Sequence, residues 1–308
     1  MISKFRIGAL VIILNFFASV AMIWGQDNPS LLQMAVPSLN IAPDARGGGM
    51  GDMGAATLPD INSQYWNAAK YAFMGSKAGV SLSYTPWLRK LVNDVALVNM
   101  TGYYKLGNSD LQAISASLRY FSLGEVNIWE NIGDVPYGLN PYEMAFDVAY
   151  SRKLSESYSM AVTLRYIRSD MGTDQNDESN AGNAFSADIS GYLEKYVLMG
   201  NAEALWSFGF NLSNIGSKIS YDGGNTNQYL PAKLTLGTGL LYPIDDYNQI
   251  GVYLDLNKYM VPYAPQKEEG ETDADYQTRV DDYKSWSSLS GMLKSFTDSP
   301  NGLLKEIM

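Results

Sequence analysis

Long stretches of strict two-residue alternation constrain this chain more than any other feature. Met144, Phe146, Val148 and Tyr150 alternate with Ala145, Asp147, Ala149 and Ser151. Tyr158, Met160, Val162, Leu164 and Tyr166 do the same against Ser159, Ala161, Thr163 and Arg165. Trp206, Phe208, Phe210 and Leu212 face Ser207, Gly209, Asn211 and Ser213, and Ile250, Val252, Leu254 and Leu256 face Gly251, Tyr253, Asp255 and Asn257. A period of two sends successive side chains to opposite faces of a strand. Nine strands are predicted on this basis: 79–86, 95–106, 111–122, 143–153, 158–169, 184–196, 204–215, 232–242 and 249–258. Most run longer than the mode of about 5–6 residues for soluble strands and suit the about 9–11 of a tilted membrane strand.

The connections agree. Segments 107–110, 154–157, 197–203 and 243–248 are short, whereas 123–142, 170–183, 216–231 and everything after Tyr259 are longer and polar. Outer-membrane barrels alternate tight periplasmic turns with long outer loops in this way, and a soluble sandwich has no reason to. Segment 87–94 is the weak member, modest in length and partly apolar, and reads alternatively as a short helix or lid. The expected fold class is therefore all-β, a transmembrane antiparallel β-barrel. Bacterial single-chain barrels close with an even number of strands. Nine is odd, and the last segment carries Lys267, Glu268, Glu269, Glu271, Asp273 and Asp275, turns weakly helical around 286–296, and stops without a strand. The expectation is a chain cut short after about nine or ten strands, the rival being a strand missed at 124–131.

Ahead of the strands, Lys4 and Arg6 precede an apolar run to Trp24, and Gly25 offers a small residue for cleavage. Residues 1–25 read as an export signal, with a retained helical anchor as the alternative. The expected organisation is a signal at 1–25, a periplasmic or luminal plug-like segment at 26–75, strands and loops at 76–258, and a long extracellular segment at 259–308.

Composition narrows the chemistry. The chain has no Cys and no His, which removes disulfides, thiol or imidazole metal sites and every imidazole-dependent triad. With 32 Asp+Glu against 22 Lys+Arg it has no electrostatic footprint for nucleic acid. Its 22 Tyr and 6 Trp suit membrane–water interfaces. Gly49-Met50-Gly51-Asp52-Met53-Gly54 matches a dinucleotide fingerprint formally, but residues 42–46 before it are no buried strand. Glycines there read instead as sites of close backbone packing. The acidic groups Asp170, Asp174, Asp177, Glu178 and Asp245, Asp246 lack EF-hand spacing and read as solvated loop charge. No catalytic, cofactor or metal residue is expected. The predicted inward positions Ser115, Ser117, Ser159, Thr163, Ser186, Asp188 and Ser190 give a mildly polar wall.

Residues 41–73, IAPDARGGGMGDMGAATLPDINSQYWNAAKYAF, carry a family likeness. Arg46, then Gly49-Met50-Gly51 and Gly54, then Asn67 resemble the N-terminal pattern of FadL-like outer-membrane proteins, in which Arg and Gly-Met-Gly are followed by Asn-Pro-Ala. Here Asn67-Ala68-Ala69 stands in that last place, without the Pro. Together with FDVAYSRKLSESYSMAVTLRYIRSD (146–170), FGFNLSNIGSKISY (208–221) and DLNKYMVP (255–262), the chain from about Ile41 onward is similar to the PorV (LptO) family of the Bacteroidetes type IX secretion system. The resemblance implies a FadL-like barrel of about fourteen strands in the outer membrane, without enzymatic activity or cofactor. It implies that the barrel receives cargo bearing a C-terminal signal domain from the translocon barrel and passes it to the sortase-containing attachment complex. Outer-membrane lipid would surround it. A FadL-type channel for hydrophobic small molecules, or a general porin, is the alternative. On physical grounds the outer loops are the surface for partners, and Trp129, Tyr137, Tyr142, Tyr221 and Tyr229 are the candidate anchors. Placement of these rings at the membrane interface is the competing reading.

Overall fold

The computed structural model describes residues 32–298 except 88, 91–93, 108–109, 129–135, 173–180, 201, 225 and 269. The expected export signal, Trp129, Asp174, Asp177 and Glu178 lie outside the described residues, as does the side chain of Tyr137.

Among the described residues eleven strands are present: β1 (Ala78–Pro86), β2 (Val95–Leu106), β3 (Gln112–Leu123), β4 (Val126–Ile128), β5 (Tyr137–Leu139), β6 (Tyr142–Lys153), β7 (Tyr158–Asp170), β8 (Gly182–Met199), β9 (Ala202–Gly216), β10 (Lys233–Pro243) and β11 (Gln249–Tyr259). Nine of them form one antiparallel meander in the order β1-β2-β3-β6-β7-β8-β9-β10-β11. All nine predicted strands are therefore found, with ends shifted by a few residues. The strand suspected near 124–131 exists as β4, but it pairs only with β5 in a separate hairpin and adds nothing to the main sheet. Among the described residues β1 and β11 each pair on one side only, so the sheet they form is open. No described helix is long and apolar enough to cross a membrane.

The burial pattern is inverted relative to a soluble protein. Along β7, Ser159, Thr163, Arg165 and Ser169 are buried while Val162 and Leu164 are exposed, Leu164 by 65%. Along β3, Ser115, Ser117 and Arg119 are buried, whereas Ile114, Leu118 and Tyr120 are exposed. On β6, Glu143, Asp147 and Ser151 point to the buried face and Phe146, Val148 and Tyr150 away from it. All seven residues expected on the inner wall are buried. Apolar side chains on the outer face are stable only in an apolar surrounding, which a bilayer supplies. Aromatic side chains sit near both strand ends on that face. Tyr120 stacks on Tyr142 at the long-loop end, with centroids 5.4 Å apart, and Tyr104, Tyr150 and Tyr196 lie toward the short-turn end.

Residues 34–76 cover the inner face. The segment starts at the long-loop end, where Met34 bridges Tyr229 and the Ala35 amide donates to the Tyr229 carbonyl at 2.9 Å. It finishes at the short-turn end, where Lys105 near the end of β2 donates to the Met74 carbonyl at 2.6 Å. The segment thus runs the height of the sheet, inside it, before β1 begins. After β11 the chain returns over the long-loop end as two helices, Asp273–Ser285 and Ser288–Lys294.

Candidate functional site

The inner segment is held by hydrogen bonds from the wall and by two apolar clusters, Val36 and Leu39 with Ile167 and Ile219, and Ala69 and Tyr71 with Tyr103 and Tyr192. The Ser159 hydroxyl donates to the Ala69 carbonyl at 2.7 Å, Ser207 to Ala56 at 2.6 Å, and the Asn211 amide to Trp66 at 3.0 Å. Asp255 of β11 accepts from the Gly54 and Ala55 amides at 2.8 and 2.9 Å. Arg119 donates to the Ser38 carbonyl at 2.9 Å and lies over the Tyr65 ring. Glu143 accepts from the Ser38 amide at 3.0 Å. Buried backbone outside regular structure needs such partners, and the serines of the wall supply them. A polar seam remains between segment and wall, where Gln64 Nε2, Arg119 Nη2 and Asn211 Oδ1 have no protein partner among the described residues. Water satisfies groups of this kind in a polar seam.

Within the segment, Asp44 organises the glycine-rich turn. Its carboxylate accepts from the Gly47 amide at 2.8 Å, capping the short helix Ala45–Gly49, and from the Trp66 indole at 2.7 Å. That places the Trp66 ring against Gly47 and Gly54, where an added Cβ would come within 2.3 Å of it at either position. Gly49 has open space around it, which corrects the expectation that it packs tightly. Gly51 is also unobstructed, but it sits at φ +80°, a backbone conformation that disfavours any side chain. Arg46 pairs with Asp60 at 2.5 Å, tying the two arms of the turn, and Met50 ends the helix. Asn67 is fully buried. Its amide donates to the Ala55 and Gly191 carbonyls at 2.9 Å each, and its oxygen accepts from the Ala69 amide.

The wall is more charged than the mildly polar surface expected. Arg165 on β7 bonds Asp147 on β6 at 2.6 Å and Asp188 on β8 at 2.8 Å, and it also bonds Asn214 on β9. One guanidinium thus ties four strands. A bulge makes this possible: the β8–β9 register shifts between Ala187 and Ile189, and Asn214 takes a left-handed φ of 60°. The shift turns the Asn214 amide onto Asp188 at 2.8 Å. Asp147, Arg165 and Asp188 all stood in inward phase in the sequence. What the sequence could not show was their convergence, which depends on strand register.

At the long-loop end the aromatic candidates separate. Tyr229 is 3% exposed, lies against Gly291 of the second helix, and meets the Tyr283 ring at 5.7 Å. Burial pushes its hydroxyl up to about 12. Tyr229 is therefore a seat for the helices and not an exposed anchor, a correction that follows from the chain folding back over it. Tyr221 donates to the Ser169 hydroxyl at 2.9 Å and packs on the apolar cluster of Val36, Leu39, Ile219 and Leu230. Tyr142 stands on the outer face, accepting from Arg168 at 3.1 Å. The surface that remains open there carries Leu289 and Leu293, four residues apart on one helix and both exposed, which the sequence reading did not single out. Their spacing was the available signal.

Among the described residues no group of His, Cys, Asp or Glu is arranged to hold a metal ion. An antiparallel sheet with a lipid-compatible outer face, a polar inner face and a chain segment packed inside defines a β-barrel protein of the outer-membrane type. The chain belongs to the PorV family, described as type IX secretion system protein PorV, whose model matches residues 25–267. The match begins ahead of Ile41, where the likeness was first legible, and stops at 267 rather than at the chain end. No curated protein matches the chain.

Proposed function

We propose that this protein receives secreted cargo bearing a C-terminal signal domain from the translocon and delivers it to the cell-surface attachment complex, acting in the outer membrane after export by its N-terminal signal. Membership of a type IX secretion family is the observation that carries this reading. The short-turn and long-loop asymmetry favours an outward-facing long-loop end. There the working surface comprises the connections after β3, β7 and β9 and the helices after β11. Leu289 and Leu293 on that surface, with Tyr229 seating the helix beneath them, are better placed for cargo than Tyr229 itself.

A channel for hydrophobic small molecules is the second reading. The inner face argues against it: Ser115, Thr163, Arg165, Asp188 and Asn211 line that face, and the segment 34–76 lies across it. An apolar solute would gain little there. The deciding experiment is capture of a secreted protein by the purified barrel, with and without the cargo's C-terminal signal domain. Signal-dependent capture is expected. Equal capture of both forms, or none, would sink the shuttle reading.

A further inference from the structure

The outer face of β1, β2, β3 and β6 is not uniformly bulky. Register aligns Val80, Gly102, Ala116 and Val148 in one row across the four strands. The row on one side is Leu82, Met100, Leu118 and Phe146, and on the other Ala78, Tyr104, Ile114 and Tyr150. Gly102 and Ala116 therefore floor a depression of about 670 Å³, flanked by Val80 and Val148 in their own row and by Met100, Leu118, Phe146, Tyr104 and Ile114 in the adjacent rows. Gly102 is the eighth of the twelve residues of β2, so the depression lies nearer the short-turn end than the long-loop end.

Cations stand at the rim nearer the depression. At the short-turn rim Lys77 lies over the Tyr104 ring at 5.7 Å, and exposed Arg152 stands opposite Gln112. The nearby Asp110 is engaged by Lys105 at 3.7 Å. At the long-loop rim the outward positions of the same strands hold Tyr84, Pro86, Ala96, Val98, Tyr120, Ser122 and Tyr142, and the cations of that end, Arg89 and Lys90 in the β1–β2 connection and Arg168 beside Tyr142, lie farther from Gly102 along the chain and the sheet. Three to four residues separate Gly102 from the cationic rim, which at about 3.4 Å per residue is about 10–14 Å. That is close to half of an outer-membrane apolar band about 25 Å tall. A chain lying from rim to depression would place its headgroup at the cations and its apolar end on Gly102 and Ala116.

We propose that this depression seats one acyl chain of an anionic phospholipid from the leaflet at the short-turn end, with Lys77 and Arg152 meeting the headgroup phosphate. The site rests on the membrane-barrel fold and is independent of the cargo reading. The cations select headgroup charge, and the position of the small residues toward the short-turn end selects the leaflet. The small residues select the position, because burying each methylene of a chain against protein needs a surface it can enter. A Cβ on Gly102 would meet the Gly79 carbonyl at 3.3 Å, which must give by a few tenths of an ångström, and a Val80 methyl at 3.5 Å.

The test uses the purified full chain equilibrated with mixed vesicles of phosphatidylglycerol and phosphatidylethanolamine carrying identical acyl chains. Protein-bound lipid is then counted by mass spectrometry. The wild-type protein retains phosphatidylglycerol several-fold over phosphatidylethanolamine. The filled variant Gly102→Leu/Ala116→Leu loses most of both, and Lys77→Gln/Arg152→Gln loses the preference but keeps the lipid. Unchanged retention in the filled variant would overturn the site, as would equal retention of the two lipids by the wild type. Release of a co-purifying protein from the filled variant, with lipid unchanged, would also overturn it and assign the depression to a protein neighbour. Heat-modifiable gel migration of each variant reports barrel folding separately. Its absence in the wild type would count against the barrel itself, and signal-dependent cargo capture is scored on the same samples.

Discussion

Gly209 faces Ala55 so closely that a Cβ there would lie 1.9 Å from the Ala55 carbonyl oxygen. That oxygen cannot move freely, because it accepts from the buried Asn67 amide. Gly209→Ala is expected to cost at least the about 1–3 kcal/mol typical of overpacking, whereas Gly49→Ala, with open space around it, is expected to be near neutral. Thermal loss of the heat-modifiable band measures both, and equal effects would show that the inner segment does not sit as described. Arg165 makes a second prediction at this scale. Arg165→Met strands Asp147 and Asp188 in a buried wall, for which about 3–5 kcal/mol is the usual cost of removing one partner of a buried pair. A urea midpoint unchanged by the substitution would mean that water already reaches the pair. Neither site was legible as such in the sequence. A Gly-rich stretch announces close packing, but which glycine is pressed depends on where Trp66 and Ala55 arrive from elsewhere in the fold.

Strands were the most legible elements, because each carries its own period-two record of two unlike surroundings. The inner segment was legible as a periplasmic or luminal plug-like stretch, but its contacts were not. Its partners are single serines, asparagines and acids scattered over β2 to β11, and no local pattern encodes them. The hairpin β4–β5 escaped as a hairpin because three-residue strands are too short to show alternation. Loops obey other local rules. In the β9–β10 connection, Asp222 accepts from the Thr226 amide at 2.8 Å and the Ser220 hydroxyl at 2.7 Å. Hydrogen bonds, those from Thr226 foremost, hold its carboxyl well below the usual carboxylate range. A carboxyl depressed in the folded state stabilises the loop above its unfolded pKa, and the stabilisation is lost as pH falls below about 4 toward the folded value. Amide protection at 220–228, relative to the intrinsic exchange rate, should therefore fall in acid, and Asp222→Asn should remove that dependence. Exchange insensitive to pH beyond its intrinsic chemical rate would contradict the assignment.

Over the whole molecule the decisive property is inversion: apolar side chains outside, polar and charged ones within. An open sheet of nine strands with such an outer face has no stable place in water, and a family match to a secretion-system protein gives that face a biological setting. Among the described residues the long-loop end carries the longer connections and the two helices, which is why partners are proposed to bind there. The inversion also predicts asymmetric tolerance. Leu164→Arg, on an outward position in mid-strand, should cost about 2–4 kcal/mol of membrane stability, as charged residues do near the bilayer midplane, measured by refolding into liposomes. The chain has no Cys, so single Cys substitutions along β7 report each position cleanly. The most direct measurement is lipid-phase quenching of a fluorophore attached in turn at 159 to 166 in the bilayer-inserted protein. Positions 160, 162, 164 and 166 should be quenched by acyl-chain quenchers, while 159, 161, 163 and 165 should be shielded beneath the inner segment. Quenching that fails to alternate, or that alternates in the opposite phase, would contradict the membrane barrel on which the account stands.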